Sequence, residues 1–250
     1  MRFEMNDGAG GGVRLGLIVL QTDETLEYEA RQLMAGRAAG LFHTRIANQA
    51  EVTPVTLARM EADLPAAAAL LPPDLDAIGY GCTSGATVIG PQNVAACIKG
   101  VMPGAAVSNP ISAVAAALSA LQVTRIAMVT PYIPAVTAPM RALLAGQGIE
   151  VVSEISFNES DDHTVARIAP HSTRAAMCEA ARADGVQAVF ASCTNLQTFA
   201  IIDAVEAELD LPVVTSNQAL LWHMLRLSGA QATGWGPGRL FRIANEQASR

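Results

Sequence analysis

The sequence predicts an α/β protein made of two pseudo-symmetric lobes, each a roughly four-stranded parallel sheet flanked by helices. The first observation is composition, because 51% of the 250 residues are hydrophobic and only 16% are charged. Such apolar segments are typical of parallel strands that helices cover on both faces. The second observation is that strand-like apolar runs end in small-residue turns and lead into helical stretches. The third is that this pattern occurs twice, at a constant spacing along the chain.

The repeat is visible in three pairs of segments that occur in the same order in both halves. The spacing from residues 15–20 to residues 126–131 is the same as the spacing from Cys82 to Cys193. The third pair, residues 107–109 with 215–217, has nearly that spacing. Three ordered pairs indicate an internal duplication. We therefore predict a flexible leader over residues 1–12, lobe one with Cys82 over residues 13–112 plus 219–250, and lobe two with Cys193 over residues 113–218.

The elements of the first half follow from apolar periodicity and from Pro and Gly as breakers. The prediction is a strand at 15–20, a helix at 26–41, a strand at 45–52, a helix at 55–71, a strand at 76–81, a helix at 86–100, a strand at 105–108 and a helix at 111–121. Pro72 and Pro73 end the second helix. The helix at 111–121 is apolar on almost every face, so we expect it to be buried between the lobes.

The second half is predicted to repeat this order. The prediction is a strand at 126–130, a helix at 136–145, a strand at 149–155, a polar loop at 157–163, a helix at 171–184, a strand ending at Ser192, a helix at 196–209, a strand at 213–215 and a helix at 219–227. The tail at 234–238 is a Gly-rich loop around Trp235.

Charge and cysteine usage exclude several classes of protein. A net charge of −7 and a lack of Lys and Arg runs argue against nucleic acid or an anionic membrane as a partner. No run of 18 uninterrupted apolar residues is present, so we expect a cytoplasmic protein without membrane spans. The four cysteines lack CxxC spacing, and the four histidines lack metal-ligand spacing, so we expect no metal site and no disulfide framework. Cys97 and Cys178 fall in helical patterns and are interpreted as packing residues.

Cys82 and Cys193 carry the predicted chemistry. Each follows a strand and is itself followed by a Thr and a predicted helix, whose N-terminal dipole is expected to lower the pKa of the thiol. Ligands bind at the carboxyl ends of parallel strands. We therefore expect one cleft between the lobes, lined by Asp23, Cys82, Thr83, Ser84, Tyr132, Cys193, Thr194 and Asn195.

Two thiols on opposite faces of a small planar intermediate suit a proton transfer in which one removes a proton and the other returns one. They also suit addition of one thiolate to a double bond. Neither route needs a cofactor. The alternative is that a lone Cys at a strand end is a small buried packing residue, but the matched pair favours function. The G-x-S-x-G elbow that would make Ser84 a nucleophile is absent.

The chain resembles the aspartate/glutamate racemase superfamily, in the branch of maleate isomerases and arylmalonate decarboxylases. The resemblance rests on Leu-Gly-Leu-Ile-Val at 15–19, Gly-Cys-Thr-Ser-Gly at 81–85, Thr-Pro-Tyr at 130–132, Ser-Cys-Thr-Asn-Leu at 192–196 and Ser-Asn-Gln-Ala-Leu-Leu-Trp-His at 216–223. It implies catalysis without cofactor, Cys82 as nucleophile or base, Cys193 as the opposing acid or base, and Tyr132 as a substrate-binding residue. The chain is also similar to a sub-branch encoded with ectoine-catabolism genes, which implies an amino-acid substrate. We further expect a homo-oligomer.

The chain departs from that pattern at the substrate. Maleate isomerases carry Asn where this chain has Asp23, and their second binding Asn matches either Asp162 or Asn158 here. A second carboxylate beside a bound carboxylate is unfavourable, so we expect an amino acid whose ammonium pairs with Asp23, unless Asp23 instead assists Cys82 as a base. Decarboxylation of a malonate-type acid and non-catalytic binding of a small carboxylate are the alternative functions.

Overall fold

The computed structural model describes residues 1–6 and 8–243. Its strands form two four-stranded sheets in which every pair is parallel. The first sheet, in the order β2-β1-β3-β4, holds β1 (Val13–Leu20), β2 (Ala39–Ile46), β3 (Ala77–Gly81) and β4 (Ala106–Ser108). The second, in the order β6-β5-β7-β8, holds β5 (Arg125–Thr130), β6 (Glu150–Ser156), β7 (Ala188–Ala191) and β8 (Val213–Thr215).

The two sheets are built alike in strand order and in register. Leu15 pairs with Ala77 in the first sheet, and Ile126 pairs with Ala188 in the second. Each member of the second pair follows its counterpart at the spacing that separates Cys193 from Cys82. The predicted two-lobed α/β fold and its internal repeat are therefore confirmed.

Helices cover both sheets. Those of the first half are α1 (Leu26–Met34), α2 (Pro54–Arg59), α3 (Leu64–Ala68), α4 (Thr83–Ile89), α5 (Pro91–Lys99) and α6 (Pro110–Ala120). Those of the second half are α7 (Pro134–Ala145), α8 (Asp162–Val165), α9 (Pro170–Ala180), α10 (Ile202–Leu209) and α11 (Ser216–Leu227), with 3-10 turns at Met60–Asp63 and Arg239–Arg242.

The second strand is the clearest correction. It spans Ala39–Ile46 rather than residues 45–52, because α1 ends at Met34 and not at residue 41. Gly36 adopts a φ of +69° just after this helix, a conformation that turns the chain out of the helix. The bulky residues that follow, Leu41 and Phe42, then enter the strand.

Three predicted helices are interrupted or shortened. The helix at 55–71 is divided into α2, a 3-10 turn and α3, and Pro65 at the start of α3 lacks the N–H that a continuous helix needs. The helix at 86–100 is divided by Gly90, which has a φ of +95°, and Pro91. The helix at 196–209 begins only at Ile202, so residues 194–201 form an extended turn after Cys193.

The lobes are joined by main-chain contacts above the sheets. Val52 N donates to Ser160 O at 2.8 Å, and Asp162 N donates to Ala50 O at 2.9 Å, so the loop after β2 pairs with the loop after β6. Helix α11 returns to pack on the first sheet, where Gly79 leaves room for Met224. The predicted boundaries of the lobes and leader stay predictions, and within them Asp7 and residues 244–250 lie outside the described residues. None of the helices in the described ranges is long and apolar enough to cross a membrane.

Candidate active site

The Cys82 turn joins β3 directly to α4. Cys82 is the N-cap of that helix, and its sulfur accepts a hydrogen bond from Gly85 N at 3.1 Å. Ser84 Oγ lies 3.6 Å from the same sulfur. A Cβ on Gly85 would lie 2.5 Å from the Tyr80 hydroxyl and 2.9 Å from the Cys82 sulfur, so this position requires glycine. The turn therefore fixes the thiol by close packing as well as by hydrogen bonds.

The Cys193 turn resembles the Cys82 turn in the backbone hydrogen bond to its sulfur and differs in the segment that follows the cysteine. The Cys193 sulfur accepts a hydrogen bond from Asn195 N at 3.3 Å, but the chain then runs through an irregular segment before α10. Both cysteines are only 3% exposed. Both are free thiols.

Both sulfurs face one small cavity between the lobes, with a volume of about 10 Å³, which is room for roughly one water molecule. Its walls are formed by Leu20, Asn48, Gln49, Val52, Thr56, Leu57, Met60, Cys82, Ser84, Tyr132, Asp162, Cys193 and Thr194. The segment from Asn48 to Met60 covers the thiols on one side. A substrate larger than water must displace part of this cover to enter.

The electrostatics of the thiols differ from the sequence expectation. Burial raises the pKa of Cys82 to about 12, and the hydrogen bonds from Ser84 and Gly85 N only partly oppose this. Burial also raises the pKa of Cys193 well above its ordinary value, with the Asp162 charge adding to the rise. The prediction that the helix N-terminus would lower the Cys82 pKa is wrong for this closed site, because desolvation of the thiolate is the larger effect. Both cysteines are protonated thiols here.

Two carboxyl groups share the surroundings of these thiols. Asp23 Oδ1 accepts hydrogen bonds from Thr25 N at 2.9 Å and Leu26 N at 2.8 Å, which caps α1. Asp23 Oδ2 is buried with no hydrogen-bond partner in the described structure. Burial raises the pKa of Asp23 to about 7, although the two N–H bonds lower it. Asp23 is not among the residues that line the cavity, contrary to the prediction, but its charge contributes to the raised pKa of both thiols.

Asp162 is the carboxyl group that lines the cavity. Its Oδ2 accepts a hydrogen bond from the Thr22 hydroxyl, and burial raises its pKa. Asn158, the competing match for the second binding position, is exposed in a turn with a φ of +54°. The geometry therefore places Asp162, and not Asn158, at the thiols.

The remaining predicted site residues fall into two groups. Ser84, Tyr132 and Thr194 line the cavity. Thr83 does not, because its hydroxyl donates to Ser216 Oγ at 2.8 Å beneath the site. Asn195 is also absent from the cavity lining, and its side chain makes hydrogen bonds within the protein. Its Oδ1 accepts from Glu24 N at 2.9 Å, and its Nδ2 donates to Asp162 O at 2.9 Å.

Sequence reasoning missed the covering segment. It supplies Asn48, Val52, Thr56, Leu57 and Met60 to the cavity. The misplaced second strand concealed it, because a strand over residues 45–52 leaves no room for a cover there. A signal was available in Thr53-Pro54, a capped helix start that leaves residues 47–52 as a loop after the true strand.

The walls of the cavity carry acids and neutral groups only. Its lining includes Asp162, two thiols and Tyr132, but no Lys, Arg or His from the described part of the chain. Burial raises the pKa of Tyr132 well above its ordinary value, so this hydroxyl keeps its proton. Within the described ranges, no cluster of three or more His, Cys, Asp or Glu side chains could hold a metal ion. The site can hold and move protons, and its acidic groups favour a ligand that brings a positive charge.

Comparison with known proteins identifies the family. Residues 98–241 match the sequence profile of the arylmalonate decarboxylase family. The arylmalonate decarboxylase of Bordetella bronchiseptica is 34% identical over 133 residues, which cover 52% of this chain and 55% of that enzyme. A maleate isomerase of Pseudomonas putida KT2440 is 27% identical over 241 residues, covering 91% of this chain and 96% of that enzyme.

Solved structures agree with this assignment. A variant of the maleate isomerase Iso from Pseudomonas putida S16, crystallised with maleate, superimposes with a TM-score of 0.83 at 25% identity. The alignment covers 93% of this chain and 98% of that one. The chain therefore belongs to the arylmalonate decarboxylase family, in the branch of the aspartate/glutamate racemase superfamily that it shares with the maleate isomerases, and it is an enzyme of the isomerase type.

Proposed function

We propose that the enzyme is a two-cysteine isomerase or racemase of a small carboxylic acid that carries an ammonium group, an amino acid rather than maleate. The observation that carries this proposal is the cavity itself, in which Cys82 and Cys193 face the same space and no basic side chain is among the described lining residues. A dicarboxylate would bring two negative charges to Asp162 and Asp23. An ammonium group relieves that repulsion.

The proposed reaction balances within the site. Cys82 as thiolate takes the Cα proton of the amino acid and becomes a thiol, which leaves a carbanion delocalised into the carboxylate. Cys193 as thiol gives its proton to the opposite face and becomes a thiolate. The product has the inverted configuration, and one proton has moved from one sulfur to the other. Cis–trans isomerisation would use the same pair: the Cys82 thiolate adds to a double bond, Cys193 protonates the adduct, and the new single bond rotates. The proton then returns to Cys193 as the bond between carbon and the Cys82 sulfur breaks, which releases the isomer and restores the thiolate.

The substrate itself helps to generate the reactive thiolate. In the closed, unliganded site the Cys82 pKa is about 12, so the thiolate is scarce. A bound ammonium beside Asp162 favours ionised groups around it, and it lowers the pKa of nearby acids and thiols. The backbone N–H of Gly85 already donates to the Cys82 sulfur and is placed to stabilise its negative charge. Activation therefore accompanies binding of the correct ligand.

The experiment is a panel of small amino acids, dicarboxylic acids and malonate-type acids in deuterium oxide, followed by NMR. The panel includes amino acids that arise in ectoine breakdown, because the resemblance to that sub-branch favours them. We expect deuterium at Cα with inversion of an amino acid. Efficient turnover of maleate, combined with an unchanged preference in Asp23→Asn, would refute the amino-acid assignment.

Decarboxylation of a malonate-type acid is the second candidate, and the family match over residues 98–241 favours it. Val52, Leu57 and Met60 give the cavity an apolar wall that suits an uncharged substituent. Loss of carbon dioxide leaves the same delocalised carbanion, which a thiol then protonates. The NMR panel separates this reaction by loss of substrate carbon. A non-catalytic binding protein would instead retain full affinity without either thiol and show no turnover.

We also propose that the enzyme acts in the cytoplasm as a homo-oligomer. Sedimentation of the purified chain and fractionation of the source cells test these two points.

A further inference from the structure

Glu29 is a buried acidic side chain that the proposed reaction does not use. It lies on α1 in the first lobe and is 2% exposed. Burial raises its pKa, and hydrogen bonds from Phe199 N, Asn217 and Thr198 oppose that rise. A carboxyl group in this setting is unfavourable unless it makes specific compensating contacts.

Among the described residues, every hydrogen bond to this carboxylate comes from a donor in the second half of the chain. Glu29 Oε1 accepts from Thr198 N at 2.6 Å and from Phe199 N at 2.9 Å. Glu29 Oε2 accepts from Asn217 Nδ2 at 2.7 Å, and the same Nδ2 donates to Thr194 O at 2.8 Å. The carboxylate therefore holds the turn after Cys193 directly and through Asn217.

The difference between the two cysteine turns explains why such a contact is needed. Cys82 is followed at once by α4, whose own hydrogen bonds order the turn. After Cys193 the helix begins only at Ile202. The N–H groups of Thr198 and Phe199 thus lie outside any helix in a buried segment, where unpaired donors are costly. Glu29 supplies the acceptor that a helix would otherwise provide.

We propose that Glu29 is a positioning residue for Cys193. From the first lobe it holds the turn at 194–199, and through Asn217 it fixes the Thr194 carbonyl, so that the Cys193 thiol stays aimed at the cavity opposite Cys82. This inference rests on the proposed function only in taking Cys193 as the second acid or base.

The test variant is Glu29→Gln, which keeps the size of the side chain. Its Oε1 still lies against Thr198 N and Phe199 N, but a neutral amide oxygen is a weaker acceptor than a carboxylate oxygen. Its amide group faces the Asn217 Nδ2, so two donors meet. Turning the Asn217 amide over would place its oxygen against Thr194 O. Either arrangement loses one of the two Asn217 hydrogen bonds that link residue 29 to the Thr194 carbonyl, next to Cys193.

Glu206→Gln is the matched control. Glu206 is also buried, at 3% exposed, and its carboxylate also accepts main-chain bonds, from Val213 N at 2.9 Å and Arg239 N at 2.8 Å. It is not among the residues that line the cavity. Both variants replace a buried carboxylate by an amide, one on the path to Cys193 and one away from it. Glu206→Gln also removes the ion-pair partner of Arg242, whose Nη1 lies 3.9 Å from Glu206 Oε2.

The first measurement is amide hydrogen exchange, which needs no substrate. In Glu29→Gln we expect exchange in the peptide spanning residues 193–199 to accelerate roughly tenfold or more, with little change around Cys82. In Glu206→Gln we expect the acceleration around Val213 and Arg239 instead. Equal acceleration at 193–199 in both variants, or none in Glu29→Gln, would overturn the proposal.

The second measurement is kinetic. With the substrate found by the NMR panel, Glu29→Gln should lower kcat by roughly tenfold to a hundredfold while KM stays within about threefold, as expected for a misplaced catalytic group. Glu206→Gln should keep kcat within about threefold of the wild type. Unchanged kcat in Glu29→Gln together with faster exchange at 193–199 would overturn the positioning role but leave the proposed reaction standing.

Asn217→Ala keeps the test open if Glu29→Gln fails to fold. It removes the hydrogen bonds from Asn217 Nδ2 to Glu29 Oε2 and to Thr194 O, and it leaves Glu29 Oε1 bonded to Thr198 N and Phe199 N. We expect lower kcat with unchanged exchange at those two amides. Wild-type kcat in Asn217→Ala would refute the relay to Cys193.

Discussion

Replacing Asp23 by Asn tests the electrostatics of the site without any substrate. The Asn oxygen can accept the same hydrogen bonds from Thr25 N and Leu26 N, so the cap of α1 is kept. Its amide group takes the place of Oδ2, which has no hydrogen-bond partner within the described ranges. The substitution removes the ionisable group and puts a buried amide NH2 group in place of Oδ2. The cost of that amide does not depend on pH, so the test is how the stability difference changes with pH.

The size of the expected stability difference follows from the pKa of Asp23. Burial raises the Asp23 pKa from 3.8 to about 7. The folded state holds the Asp23 proton more tightly than the unfolded chain does. Below about pH 3.8, Asp23 therefore does not lower the free energy of unfolding. Between about pH 3.8 and pH 7 it lowers the free energy of unfolding by a growing amount, and above about pH 7 that amount is constant. At about 1.4 kcal/mol per tenfold change in acidity, the plateau cost is about 4 kcal/mol. Between pH 5 and pH 8 this destabilisation rises by about 3 kcal/mol.

The assay is urea unfolding of both proteins at pH 5, 6, 7 and 8. We expect the free energy of unfolding of Asp23→Asn, relative to that of the wild type, to increase as the pH rises from 5 to 8. Asp161→Asn is the control, because Asp161 caps α8 by accepting from Thr164 N at 2.7 Å but is only half-buried, and its hydrogen bonds lower its pKa. Because its pKa is lowered from 3.8, the stability that Asp161 contributes is lost only under more acid conditions, so between pH 5 and pH 8 we expect a constant difference between the wild type and Asp161→Asn. Parallel curves for the wild type and Asp23→Asn would refute a buried Asp23 with a raised pKa.

Three other predictions concern the thiols and the turn that holds Cys82. Cys82→Ser should lower turnover by more than about tenfold, and substrate should protect Cys82 from alkylation; activity within about tenfold of the wild type would remove it as the nucleophile. Activity should survive chelation, because two separated thiols provide too few ligands for catalytic zinc, and loss that a divalent metal restores would contradict the mechanism. Gly85→Ala should displace the Cys82 sulfur and reduce turnover, since the added Cβ would lie 2.9 Å from it. Gly104→Ala, where the added Cβ meets nothing within 4 Å, is the matched control and should retain turnover.

The repeat in the sequence was sufficient to predict the fold because both lobes obey the same local rules. The spacing between Cys82 and Cys193 reappears in the pairing of Leu15 with Ala77 and of Ile126 with Ala188. Boundaries were less predictable where a breaker acts inside an apolar run. Gly36 ended α1 early, and Pro65 and Gly90 divided helices whose apolar periodicity continues across the break. Such breaks depend on single backbone conformations that periodicity does not detect.

The site was predictable where it depends on the duplication and unpredictable where it depends on burial. The two cysteines, Tyr132 and Asp162 were identified by pattern and resemblance, and they do line one cavity. The direction of the Cys82 pKa was missed, because a helix N-terminus is visible in sequence while the desolvation of a closed cavity is not. Glu29 was missed for the same reason, since nothing in a helical segment marks one acidic residue as buried.

The raised pKa values link substrate choice to proton release. In the free enzyme Asp23 has a pKa of about 7, so near neutral pH it is about half protonated. An ammonium group bound nearby stabilises the carboxylate, so binding of an amino acid should expel a proton, and affinity should rise with pH up to about 7 and then level off. A dicarboxylate requires the protonated form, so its affinity should fall as the pH rises above about 7. Titration calorimetry in buffers of different ionisation enthalpy measures how many protons are released or taken up on binding. Proton uptake when an amino acid binds would show that Asp23 does not face the ammonium group.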